Sequence, residues 1–136
     1  MQLDPSAFVA DPELVKALQR RAVSIDCAAD RVLFRQGDSA DGLFILEIGQ
    51  ATLTMDSLAG QSILSIETNA GSLLGLPALV GSQPYSLTAV ARAGARVSFI
   101  ARETFTAFMQ SHPMLAFKIL QVLAAEVSAA RRAIAL

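Results

Sequence analysis

The sequence predicts a mainly β fold with flanking helices: a double-stranded β-helix (jelly-roll) barrel of about eight strands, a short N-terminal helix, and a C-terminal helix pair ending in one long helix. Three observations carry this expectation. Residues 22–100 are rich in Val, Ile, Leu and Thr and are broken by Gly or small polar residues, roughly every eight to twelve positions, the rhythm of short antiparallel strands. After residue 102 the apolar positions recur at helical rather than alternating spacing. The chain has 136 residues, 53% of them hydrophobic and 17% charged, which supplies a real core and too little length for two ordinary domains. One domain is expected over 1–136, with a helical segment at 1–21, the barrel at 22–100 and the helices at 102–136.

Residues 11–20 (DPELVKALQR) read as an amphipathic helix. Asp11 caps it, Pro12 takes the first helical position, and Leu14, Val15 and Leu18 share one face. Strands are expected at 32–34, 43–48, 51–55, 62–67, 73–74, 86–91 and 96–100, with turns at Gly37-Asp38, Gly49-Gln50, Gly60-Gln61, Gly71 and Gly94. Residues 102–110 place Phe105, Phe108 and Met109 on one helical face. Ser111-His112-Pro113 then ends one helix and starts another, because proline suits a first turn and disfavours helix at the residue before it. No breaker follows residue 114, so the last helix can run about 22 residues, roughly 33 Å.

Two apolar stripes wind along that helix. Leu115, Ile119, Val122, Ala129 and Ala133 form one, interrupted by Glu126. Leu120, Leu123, Val127, Ala130 and Ile134 form the other, at heptad spacing. One stripe is expected to lie on the chain's own barrel and the other to meet the same helix of a second copy, giving a homodimer.

Composition excludes several chemistries. With one cysteine, Cys27, and one histidine, His112, a disulfide, a multi-histidine metal centre and a four-cysteine cluster are out of reach. Cys27 reads as a small core residue. Tryptophan is absent, tyrosine occurs once and the net charge is −1, which gives neither a stacking platform nor a basic field for nucleic acid. The first 67 residues carry ten acids and five bases, the remainder two acids and six bases, a mild asymmetry. No nucleophile–base pair or Gly-Lys phosphate loop is present, so no enzyme and no cofactor are expected. The start, MQLDPSAFVADPE, lacks a secretory pattern, and the apolar runs fall short of the roughly 18 residues of a bilayer span. A cytoplasmic protein without membrane contact is expected.

Residues 31–50, RVLFRQGDSADGLFILEIGQ, carry a Phe-Arg-x-Gly-Asp turn, a small or acidic stretch and an apolar strand ending in a glycine turn. Residues 71–91, GSLLGLPALVGSQPYSLTAVA, carry a strand, a glycine, a short helical stretch, a loop and a second strand. In this order, and followed by Ser111-His112-Pro113, these segments resemble the cyclic nucleotide-binding domain of CRP/FNR-type transcriptional regulators, over about 100 of the 136 residues. The resemblance places a phosphate-binding cassette at Leu74, Gly75, Leu76, Pro77, Ala78, Leu79, Tyr85 and Ser86. It also implies DNA contact only through a helix-turn-helix after the long helix, which this chain does not contain.

The cassette departs from the family's pattern. The glutamate that meets the ribose is replaced by Leu76, the arginine that pairs with the cyclic phosphate by Tyr85, and Pro77 removes one backbone N–H. The expected function is therefore a ligand-sensing or regulatory domain that does not bind cyclic AMP in the usual way. The alternatives are a ligand-free dimerisation or partner-docking module, and residual nucleotide binding through the Ala78 and Leu79 amides and the Tyr85 hydroxyl. If the barrel is kept, Leu73, Leu74, Leu76, Leu79 and Tyr85 would line an apolar cavity suited to a less charged small molecule.

Overall fold

Side-chain alternation along the strands divides the apolar residues between two cores. The computed structural model describes residues 3–135. Met1 and Gln2 of the expected N-terminal segment, and Leu136 of the expected last helix, lie outside the described residues. A 3₁₀ turn (Pro5–Phe8) and helix α1 (Pro12–Gln19) lead into β1 (Val23–Asp26), β2 (Arg31–Phe34), β3 (Gly42–Ile48), β4 (Ala51–Asp56), β5 (Ser62–Thr68) and β6 (Leu73–Leu74). Helix α2 (Leu76–Gly81), β7 (Thr88–Ala91), β8 (Arg96–Ala101), α3 (Arg102–Ser111) and α4 (Pro113–Ala135) follow.

The expected closed barrel is not formed. The strands make two separate antiparallel sheets of four, ordered β1-β8-β3-β6 and β2-β7-β4-β5, and neither closes on itself. Strand rhythm reports how many short strands a chain holds, whereas closure depends on pairing at the edges. Here the edge strand β6 is two residues long and pairs only with Phe44 and Ile45 of β3. Gly75 then turns the backbone left-handed and α2 begins, so the ladder stops. Among the described residues the architecture is a mixed α/β fold of two sheets and four α-helices. Strand β1, absent from the strands expected above, pairs with β8 through Val23–Asp26.

Strand β3 shows the division most clearly. Phe44 and Leu46 point between the sheets, with Phe34, Leu53, Leu74 and Val97. Leu43 and Ile45 point to the other face, where Leu14, Leu18, Ile100, Phe105, Phe108 and Ile119 gather under the helices. Because both faces of β3 are covered, five consecutive residues from Gly42 to Leu46 are buried. A fully buried Leu, Ile or Phe side chain contributes about 1.5–3 kcal/mol, and Leu14, Leu18, Leu43, Ile45, Ile100 and Ile119 are all fully enclosed on the helix side.

The helix boundaries follow the local chemistry. Asp11 Oδ1 accepts the Glu13 amide at 2.9 Å, and Pro12 opens α1. The same carboxylate receives Lys118 Nζ at 3.0 Å, which ties α1 to α4, holds the Asp11 carboxyl below its ordinary range and raises the Lys118 ammonium. Cys27 is buried in the inter-sheet core. His112 ends α3, stacked on Phe108 with ring centroids 4.6 Å apart.

By length and composition α4 is apolar enough to cross a bilayer, which the run-length reading of the sequence did not register. Its inner face is committed to the domain core through Ile119, Val122 and Ala129.

Candidate functional site

The segment resembling the cassette is assembled from β6, α2 and the loop into β7. Leu74 ends β6, and Gly75 adopts φ +93° to swing the chain into α2. No other residue fits there, since a Cβ at Gly75 would lie 2.7 Å from the Tyr85 ring. Pro77 sits in the first turn of α2, and the Leu79 amide is already bonded to the Gly75 carbonyl at 3.1 Å. Ser82, the one non-glycine residue with positive φ among the described residues, closes α2 at +52°.

Tyr85 then folds inward and is 4% exposed. Its ring stacks on Phe34 with centroids 3.9 Å apart and planes 15° from parallel. Its hydroxyl donates to the Gly42 carbonyl at 2.6 Å and accepts from the Gly42 amide at 3.3 Å. Its own amide and carbonyl are clamped to Asp38 and Gly37. Burial pushes the phenol above its ordinary pKa, so it is neutral at physiological pH. The hydroxyl expected to be free for a ligand is spent within the protein.

A cavity of about 40 Å³ remains beside this ring. Leu74, Gly75, Pro77, Ala78, Tyr85 and Ser86 line it from the cassette, and Phe8 and Glu126 from the 3₁₀ turn and α4. The sequence grouping is corrected here. Of the five residues expected to form an apolar cavity, only Leu74 and Tyr85 reach it, while Leu73, Leu76 and Leu79 belong to the core under the helices. The cause is strand geometry, because adjacent residues of β6 must point to opposite faces. Leu76 is fully buried in that other core.

Sequence reasoning missed three participants. Gly42 supplies both backbone partners of the Tyr85 hydroxyl. Arg102, at the start of α3, donates to the Ala40 and Leu79 carbonyls and so ties α2 to the β2–β3 loop and to α3. Glu126 faces the cavity from the inner face of α4; its Oε2 is buried and has no hydrogen-bond partner among the described residues. Its signal was visible as the acid interrupting the inner stripe. Burial alone pushes its carboxyl up to about 8.

The outer stripe of α4 stands in solvent. Leu120, Val127 and Ile134 are 56%, 49% and 72% exposed, Leu123 and Ala130 are half-buried, and Phe117 adds to the same exposed side. Among the described residues, no group of three or more His, Cys, Asp or Glu side chains is placed to hold a metal ion.

The fold has counterparts among known proteins. Residues 24–112, about two thirds of the chain, match the family model of the cyclic nucleotide-binding domain. The catabolite activator protein of Thermus thermophilus superposes with a TM-score of 0.78 at 23% identity, over 96% of this chain and 62% of that one. The c-di-GMP-responsive global regulator CLP of Xanthomonas campestris gives 0.72 at 18% identity, covering 87% and 58%. A transcriptional regulator of Thermotoga maritima gives 0.75 at 18% identity, covering 88% and 94%. The chain thus spans about three fifths of the Thermus protein. No curated protein matches.

Proposed function

The chain belongs to the cyclic nucleotide-binding domain family, and on that premise we propose that it is a cytoplasmic sensory or regulatory domain of the CRP/FNR kind whose pocket does not take cyclic AMP in the usual way. The carrying observation is Tyr85. Where the family pattern has a guanidinium, a neutral phenol is stacked on Phe34 and bonded to Gly42. Each charge-assisted contact to a nucleotide is worth about 1.5–3 kcal/mol. Losing the arginine and the glutamate together costs roughly 3–6 kcal/mol, on the order of 10² to 10⁴ in affinity. Of the two amides that could stand in, that of Leu79 is already bonded to Gly75, which leaves that of Ala78.

An occupant of the cavity would touch α2 and α4 at once, through Ala78 and Glu126. That supports a mechanism in which occupancy shifts the cassette against the last helix. The exposed stripe of Leu120, Leu123, Val127, Ala130 and Ile134 supports a homodimer built on the same helix. DNA contact, in this reading, belongs to a helix-turn-helix of a longer regulator. A ligand-free dimerisation module is the second reading, favoured by the small cavity of about 40 Å³.

Thermal melts with millimolar cyclic AMP, cyclic GMP and cyclic di-GMP test the proposal. A nucleotide at 100 times its Kd would stabilise the fold by about 2.7 kcal/mol, several degrees in a domain of this size. We expect no shift above a degree or so with cyclic AMP. A shift of several degrees would mean that the lost contacts are compensated and that the reading of Tyr85 is wrong.

A further inference from the structure

We propose that the cassette cavity takes a small organic cation, an ammonium group on a compact aliphatic body, with the Glu126 carboxyl as its partner. The inference rests on the sensor reading above and inverts the charge preference of a phosphate site. Three observations carry it. Among the described residues that line the cavity none is Lys, Arg or His, and Glu126 is the one acid. Its Oε2 is shielded from solvent and finds no hydrogen-bond partner among the described residues, a costly state unless something meets it. Ser86 apart, the remaining wall is apolar or aromatic, with Phe8, Phe34, Leu74 and Tyr85, which suits an alkyl body beside aromatic rings. About 40 Å³ of such space holds roughly three water-sized positions, the size of an ammonium with a few carbons.

The charged groups around Glu126 do not compete for it. Lys118, eight residues earlier on α4, pairs with Asp11 and Glu13 of the α1 end. Asp4, at the 3₁₀ turn, bonds Ser6 and responds to Arg132. Arg102 of α3 is engaged with the Ala40 and Leu79 carbonyls, and α2 carries no charge. The one other titratable side chain that lines the cavity is Tyr85, whose hydroxyl is bonded to the Gly42 backbone and kept neutral by burial. Because the carboxyl holds its proton up to about pH 8, a cation that binds there displaces that proton. Affinity must then rise with pH until the carboxyl ionises unaided.

Isobutylamine and its neutral counterpart isobutanol are the probes, titrated into the full chain and followed by methyl chemical shifts. Five heavy atoms set the expected affinity in the millimolar range. The proposal predicts that, above about pH 8, isobutylamine binds on the order of tenfold more tightly than isobutanol, and that this preference disappears in Glu126→Gln. It also predicts a Kd for the wild type falling nearly tenfold per unit from about pH 6 toward pH 8 and flattening above. Above about pH 8, equal binding of amine and alcohol, an unchanged preference in Glu126→Gln, or no binding of isobutylamine at about 50 mM would each overturn it, as would a flat pH profile. The wild-type pH profile stands without the variant, should Glu126→Gln fold poorly. Isobutanol binding alone would remove the cation assignment and leave the sensor reading intact, whereas tight cyclic AMP binding would remove that reading.

Discussion

The two faces of α4 look alike in sequence and differ in what they touch. The inner face, with Ile119, Val122 and Ala129 buried, closes the aliphatic core and sets Glu126 against the cassette cavity. The outer face presents Leu120, Val127 and Ile134 to solvent, and nothing in the fold of one chain requires them. One helix therefore joins an internal cavity to an external apolar surface. A rigid α-helix can carry a displacement from one to the other only if its inner face is firmly held and its outer face engaged.

The largest expected effect lies on the inner face. Ile119 is fully buried among the leucines under the helices, so Ile119→Ala should lower unfolding free energy by about 2–5 kcal/mol, read as a shifted denaturation midpoint. A loss under roughly 1 kcal/mol would mean that α4 is only loosely seated and the two faces are less distinct than drawn.

The next effect is electrostatic and sharpens the comparison at one residue. The Glu126 carboxyl titrates near 8 in the folded chain instead of at its ordinary 4.5. Below pH 4.5 it is protonated folded and unfolded alike, and its contribution is at its most favourable. Between the two values the unfolded chain releases the proton while the folded chain keeps it, so stability declines by up to about 1.4 kcal/mol per pH unit. Allowing for its partial exposure, the total is roughly 3 kcal/mol, complete above about pH 8. Glu126→Gln should flatten this slope and be the more stable protein at high pH. Parallel pH profiles for the two proteins would show that the carboxyl reaches water.

Much of this was legible in the residues. The cap at Asp11, the break at His112-Pro113 and both stripes of α4 follow from local rules that tertiary structure did not override. Closure of a barrel was not legible, because it turns on edge pairing between distant segments, and here β6 ends after two residues. The cavity wall was misjudged for a related reason. Leu73, Leu76 and Leu79 share a sequence neighbourhood with Leu74, but strand alternation and the turn at Gly75 send them to the opposite core. Glu126 was visible as a flaw in a stripe. Its place in the cassette cavity required the fold that brings residue 126 against residue 78.

The smallest effect on stability tests the account most directly. Val127 is half-exposed at the centre of the outer stripe, so Val127→Glu should change the unfolding free energy of an isolated chain very little, within about 0.5 kcal/mol. Sedimentation equilibrium should nonetheless give twice the chain mass of 14.4 kDa for the wild type and the single-chain mass for the variant. A wild type that sediments as a single chain, or a variant that keeps the doubled mass, would contradict the division of α4 into a face for its own fold and a face for a second copy.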